Sequence, residues 1–370
     1  MRHTHAEINL KNLLFNYKNI KKKVGNSKIM TVVKADAYGH GMIECVKALE
    51  TLEEKKPSYY GVALLEEAVE LRKAKITTQP ILCFSPFASE ELNEYLKFKI
   101  IPTITDFVQL RFLKKTYLKK KLTVHVNIDT GMGRVGIDYT QAFSLIEKLS
   151  KIKNIKIDGV YTHFATSDEK DKSFAKLQLS RFLNILGDLK EKNINYGLAH
   201  TANSGAILDL PESYLDIIRC GISLYGYYPS CETSESIELR PVMSLISKVS
   251  TVASVNKGDS VSYGRKFIVK KKSKIVSVPI GYADGVRRGL TNKMNGIIKN
   301  KKYFQVGTVT MDRIMFDVNN DNIKIGDKII LIGKSKNVEI TAMDWCKVLD
   351  TIPYEITCGI GKRVQRLYKY

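Results

Sequence analysis

Residues 31–41 read TVVKADAYGHG. An apolar, β-branched run, preceded by Ile29 and Met30, stops at a lysine and passes at once into Ala, Tyr, His and two glycines. Val, Ile and Thr suit a strand buried on both faces, and the glycines after them mark a turn. Lys34 therefore stands at the C-terminal end of a buried strand. A lysine there is either a solvated cap or an amine whose pKa is depressed by burial, the form that Schiff-base chemistry requires. Its surroundings in the chain decide between the two.

Outward from this stretch the pattern repeats. Residues 9–24 carry Leu10, Leu13, Leu14, Tyr17, Ile20 and Val24, an amphipathic helical spacing. Strand candidates follow at 29–34, 58–63, 80–84, 99–104, 122–129, 155–163, 194–200 and 214–219, with helical patterns such as 65–75, 106–117 and 170–190 between them. Eight strand-and-helix units predict an α/β fold, a (β/α)8 TIM-type barrel; an open doubly wound sheet is the alternative. Beyond residue 236 short strand-like runs dominate, joined by turn sequences such as KGD and NNDN. The expected organisation is a barrel over 1–235 and a mostly β domain over 236–370.

Composition limits the function classes. The 370 residues carry a net charge of +21. The lysines come in short runs without interleaved aromatics, which reads as solvated surface rather than a nucleic-acid footprint. There is no apolar run of about 18 residues, so no membrane span is expected. The start, MRHTHAEINL, lacks an apolar signal region. Six scattered cysteines with no CxxC pair suit a reduced, cytoplasmic protein better than a disulfide framework or a metal site.

In a barrel the chemistry sits at the C-terminal ends of the strands. Those ends carry Lys34, Asp129 and Arg134 in DTGMGRVG, His163 in YTHFATSD, His200, Asn203 and Ser204 in HTANSGA, and Arg219, Gly221 and Ile222 in RCGISLYG. GMGRVG matches the dinucleotide pattern, with Asp158 22 residues beyond Gly136. It falls on the fifth strand rather than an opening unit, and also reads as a tight loop that aims Arg134 into the barrel mouth. Asn203–Ser204 and Gly221–Ile222 follow the seventh and eighth strands, where backbone N–H groups commonly hold phosphate. A lysine, a phosphate site and an arginine together point to pyridoxal phosphate.

Taken with VSYG (261–264), PIGYADG (279–285), VGTVTMDRIM (306–315) and PYEITCGIGKRVQR (353–366), these motifs resemble those of alanine racemases along essentially the whole chain. The resemblance implies a pyridoxal 5'-phosphate enzyme that interconverts L- and D-alanine and supplies D-alanine for peptidoglycan; a broader racemase acting on serine or lysine is the alternative. It implies that Lys34 carries the cofactor and is one base, and that Tyr263, from the partner in a homodimer with shared sites, is the other. Arg219 would contact the pyridine nitrogen, and Tyr38, Ser204, Gly221, Ile222 and Tyr354 the phosphate. His163 and Asn203 would surround the ring. Arg134 and Met311 would meet the substrate carboxylate, with Tyr282 and Asp312 near the entrance. No metal, nucleic acid or membrane partner is implied. One position departs from the family pattern: Asn127 stands where many members carry a carbamylated lysine. A bound chloride, or Asn127 itself, is then expected to hold Arg134.

Overall fold

A computed structural model describes residues 3–370. The chain opens with β1 (His5–Asn9) and α1 (Leu10–Val24) and then winds through β2 (Lys28–Val32), α2 (Lys34–Gly39), α3 (Met42–Glu50), β3 (Tyr59–Val62), α4 (Leu65–Ala74), β4 (Ile81–Pro86), α5 (Leu92–Phe98), β5 (Ile101–Ile104), α6 (Phe107–Lys115), β6 (Leu122–Asp129), β7 (Ile137–Asp138), α7 (Tyr139–Ser150), β8 (Ile155–Tyr161), α8 (Ser173–Glu191), β9 (Leu198–His200), α9 (Ser204–Asp209) and β10 (Ile217–Cys220). The parallel strands pair in the order β10-β2-β3-β4-β5-β6-β8-β9, with two-residue β7 off the ring beside β6. Backbone bonds from Asp216 to Ala199 (3.2 Å) and from Arg219 to Ala202 (2.9 Å) join the two ends. The sheet is thus a nearly closed barrel, and the open-sheet alternative falls.

The helices form where the sequence supplies starts and stripes. Asp106 caps α6 by accepting from Val108 and Gln109 (2.7 and 2.8 Å). Along α8, Ala175, Leu179, Phe182, Ile185 and Leu189 recur every three or four residues and are buried. Side chains fill the barrel: Met30, Tyr59, Leu82, Ile101, Tyr161 and Ile217, from six strands, make one cluster.

The barrel unit comprises Leu14–Ala37 and Met42–Arg240. The second compact unit takes β1 with Leu10–Leu13, Tyr38–Gly41 and Pro241–Tyr370. Its strands are β11 (Met243–Lys248), β12 (Thr251–Val255), β13 (Ser260–Val261), β14 (Phe267–Ile268), β15 (Ser273–Val278), β16 (Asn295–Ile298), β17 (Lys301–Phe304), β18 (Ile314–Asp317), β19 (Lys328–Ser335), β20 (Val338–Ile340) and β21 (Gln365–Lys369), with α10 (Ala342–Leu349) and α11 (Pro353–Gly359) before the last. The main sheet runs β17-β16-β19-β11-β1-β21. The first strand of the chain lies between β11, antiparallel, and β21, parallel, because Ala6 and Ile8 alternate inward over five residues.

Candidate active site

Lys34 follows Val33, whose N–H extends the barrel ladder to Gly61 O (2.8 Å), and the lysine is half-buried. The next four residues, Ala35, Asp36, Ala37 and Tyr38, all hold φ at +53° to +54°. This is a single left-handed turn made without glycine, a conformation that costs about 1–2 kcal/mol per L-residue. Carboxylates offset that cost. Glu67 accepts from Ala35 (2.6 Å) and Ala63 (2.8 Å), and Asp36 accepts from Met42 N–H (2.7 Å). Strain concentrated at one strand end is characteristic of a functional site.

Arg219, on β10, is 3 % exposed. Nη1 donates to His200 Nδ1 and His200 O (both 3.0 Å). Nη2 donates to Thr162 O (2.8 Å) and Thr201 O (2.9 Å) and lies 3.2 Å from His163 Nδ1. All five acceptors are neutral. Burial, with Arg134 adding to it, brings its pKa down to about 10, so the guanidinium stays charged at neutral pH. Its Nε–H has no partner among the described residues. Burial, and then the cations Arg219, Arg134 and Lys34, hold His163 well below the usual imidazole range. Lys34, Arg134 and Arg219 thus all act on His163 at one barrel mouth.

Beside them, Ser204 begins α9, which Asn203 caps through a bond to Ala206 N–H (3.1 Å), while Ser167 Oγ donates to Asn203 (2.7 Å). Ser204 Oγ accepts from the backbone of Gly221 (3.0 Å) and of Ser223 (3.4 Å). Ser223 Oγ is buried without a partner among the described residues, and Ile222 is fully buried between them. Two N–H groups and two hydroxyls thus converge at the ends of the last two strands.

The GMGRVG loop wraps around Asp129. That carboxylate accepts from Gly131 (2.9 Å), Gly133 (3.1 Å) and Arg134 (3.2 Å). Amides that a pyrophosphate would need are already taken, so the glycines serve a tight loop. Gly136 is required there, since a Cβ would come within 2.8 Å of Asp129 N. Arg134 is exposed on this loop. Asn127 donates to Val135 O (3.0 Å). Its amide anchors the loop backbone and makes no hydrogen bond to the Arg134 side chain.

The second unit holds two further groups. Tyr38 and Tyr354 face one another, ring centres 5.8 Å apart. Gly39 is obligatory beside this pair, because a Cβ there would sit 2.2 Å from Thr357 O. Tyr263, Tyr282, Met311 and Asp312 line one depression together with Thr308. Ser262 is held at φ +67°, ψ −176°, a region otherwise left to glycine. Its hydroxyl donates to Thr308 O (2.8 Å) and Thr308 Oγ1 donates to Tyr263 O (2.6 Å), so the turn carrying Tyr263 is clamped from both sides. The Tyr263 side chain itself is 75 % exposed.

Sequence reasoning passed over His125 and Tyr161 inside the barrel. Tyr161 stacks on His200 at 4.7 Å, and His200 Nε2 lies 3.0 Å from His125 Nδ1. Thr123, His125, Asn127 and Asp129 alternate along β6, a polar period of two on a strand whose other face is Leu122, Val124, Val126 and Ile128. That pattern was available as the signal of an inward polar row.

Comparison with known proteins agrees with this layout. Residues 8–229 match the family model "Alanine racemase, N-terminal domain" and residues 242–368 match "Alanine racemase, C-terminal domain". Alanine racemase 2 of Caldanaerobacter subterraneus subsp. tengcongensis is 42% identical, over 100% of this chain and 96% of its own. The solved alanine racemase of Clostridium difficile 630 superposes with a TM-score of 0.93 at 39% identity, covering 99% of this chain and 96% of that one. The Bacillus anthracis enzyme, solved with bound L-Ala-P, gives 0.92 at 33%, covering 100% and 96%. With both family models matched in order and relatives aligned along the full length, the chain belongs to the alanine racemase family.

Proposed function

We propose that this chain interconverts L- and D-alanine with pyridoxal 5'-phosphate bound at Lys34, using Lys34 and the partner subunit's Tyr263 as the two proton carriers. The observation that carries the reading is Lys34 at a strained barrel mouth beside a buried arginine with one unspent N–H, in a chain that matches alanine racemases throughout. The residues present fit the cofactor. The Ser223 hydroxyl, unpartnered among the described residues, and the Ser204 hydroxyl, whose oxygen takes the Gly221 and Ser223 N–H groups and leaves its own O–H to donate, suit a phosphate, joined in this reading by Gly221, Ile222, Tyr38 and Tyr354. The Arg219 Nε–H suits a ring nitrogen, with His163 and Asn203 beside it.

When bound, the cofactor supplies the electron withdrawal that acidifies the substrate's α-hydrogen. Lys34 holds it and moves a proton at one face, and Tyr263 Oη moves one at the other, so inversion needs little reorientation. Arg219, charged at neutral pH, donates to the ring nitrogen and disfavours a proton there by like-charge repulsion. That restrains electron withdrawal and limits loss of the amino group. Arg134 and the Met311 N–H orient the carboxylate; Tyr282 and Asp312 narrow the approach. Tyr263, Tyr282 and Met311 are 75 %, 43 % and 52 % exposed on one face, which suits a homodimer in which each second unit completes the other's site. Six scattered cysteines with no CxxC pair suit the reducing cytoplasm, where D-alanine would be made for peptidoglycan.

Incubating the purified protein with L-alanine and resolving the enantiomers tests this. D-Alanine should form to an even mixture, and Lys34→Ala and Tyr263→Phe should each abolish it. Faster racemisation of serine or lysine than of alanine would replace the alanine reading with the broader one.

A further inference from the structure

Among the described residues Arg219 has no carboxylate against it, yet a chain of imidazoles leads from it through the barrel to one. Arg219 Nη1 lies 3.0 Å from His200 Nδ1; His200 Nε2 lies 3.0 Å from His125 Nδ1; His125 Nε2 faces Asp158 Oδ2 at 3.7 Å. His125 Nε2 is buried and has no other polar partner among the described residues. Asp158 opens on the opposite face of the barrel from Lys34, where Tyr59 at the start of β3 donates to it (2.7 Å) and Lys156 pairs with it.

The donor directions in this chain are forced. A guanidinium only donates, so His200 Nδ1 must accept and the His200 proton sits on Nε2. His125 Nδ1 must then accept, which leaves its proton on Nε2, directed at Asp158. From the other end the answer is the same: a buried ring nitrogen facing an anionic oxygen carries the hydrogen. Burial keeps both imidazoles neutral, with pKa values below the ordinary one. The Asp158 carboxyl is held well below the carboxylate range, first by His125 and then by Lys156 and Tyr59. The seat of the middle ring is also built. Gly159 pairs with His125 across the strands, and a Cβ there would lie 2.5–2.9 Å from three ring atoms.

We infer that Asp158 is a positioning residue for Arg219, acting through His125 and His200 to fix both tautomers so that an acceptor nitrogen always faces the guanidinium. It also serves as the remote counter-charge that Arg219 lacks nearby. If the tautomers reverse, His200 turns an N–H toward Arg219 Nη1, and the guanidinium loses its orientation toward the ring nitrogen. This rests on the proposed role of Arg219 at that nitrogen.

The test is 15N NMR of the histidine-labelled holoenzyme, wild type and Asp158→Asn, alongside steady-state kinetics with alanine. In the wild type His125 and His200 should both be neutral with the proton on Nε2. Asp158→Asn, which can offer an N–H where the carboxylate only accepts, should move at least one of them to the other tautomer. It should lower kcat roughly tenfold, the scale of one charge-assisted hydrogen bond, with KM little changed. Asp158→Glu should keep the wild-type tautomers. Gly159→Ala, which displaces His125 without touching Asp158, should lower kcat as Asp158→Asn does. A proton on Nδ1 of either ring in the wild type overturns the inference, whether or not the variants fold. So does a fall in kcat with unchanged tautomers, which would mark Asp158 as merely structural. Wild-type protein without racemase activity defeats the proposed function instead, and the tautomers still report on the relay.

Discussion

At the scale of single residues, the barrel interior is organised by what Arg219 can and cannot do. It donates only, stays charged, and is ringed by neutral acceptors, so every histidine near it must be neutral. That has a consequence for stability. His125, His163 and His200 are buried with pKa values held below the ordinary range, chiefly by desolvation. Unfolded, each takes up a proton near pH 6.5; folded, each does so only at lower pH, His163 and His200 well below it. The unfolded chain therefore binds more protons as pH falls through 6.5, and stability drops. Each imidazole adds up to about 1.4 kcal/mol per pH unit to the slope. Asp158 adds nothing in this window, since its contribution is lost only below the carboxylate range. Urea denaturation between pH 7.5 and 5.5 should show stability level above about 6.5 and falling steadily beneath it. A level curve down to pH 5.5 would mean these imidazoles are protonated in the folded protein.

At the scale of elements, two strained segments carry the proposed proton carriers, and both are clamped by polar groups. The turn after Lys34 is held by Glu67 and Asp36, and the Tyr263 turn by Thr308. Thr308→Val keeps the buried volume but releases Tyr263 O. We expect kcat to fall about fivefold, on the scale of a hydrogen bond worth ~1 kcal/mol, with KM and melting temperature nearly unchanged. An unaltered kcat would show that the turn is rigid without that bond. The eight barrel strands and the helices between them were legible because β-branched runs and helical stripes alternate at regular spacing. The left-handed turn was not: Ala, Asp, Ala and Tyr have no local preference for positive φ, and only tertiary contacts impose it. Strand β1 was also hidden, because five residues with two buried side chains carry too little period to read, and its partners lie more than 200 residues away. The strand-end residues Lys34, Arg134, His163, Ser204 and Arg219 could be listed from the sequence, since barrel topology says where to look. Of the inward row on β6, Asn127 and Asp129 were singled out near the strand end, and His125 escaped because it sits in mid-strand.

At the scale of the whole molecule, the proposed site needs two chains. Tyr263 is the proposed second proton carrier, and its side chain is largely exposed on a face shared with Tyr282 and Met311. A proton carrier so exposed needs a surface to complete its site, and twofold pairing of identical chains would supply one. The most direct measurement mixes two inactive variants, Lys34→Ala and Tyr263→Phe, by unfolding and refolding them together with differently tagged chains. In a mixed dimer one site holds both lesions and the other holds neither. Random pairing makes about half the dimers mixed, each with one intact site of two, so roughly a quarter of wild-type activity should return. If mixed dimers are recovered by their two tags and activity stays at the level of the separate variants, Tyr263 serves its own chain's site and the shared-site account is wrong.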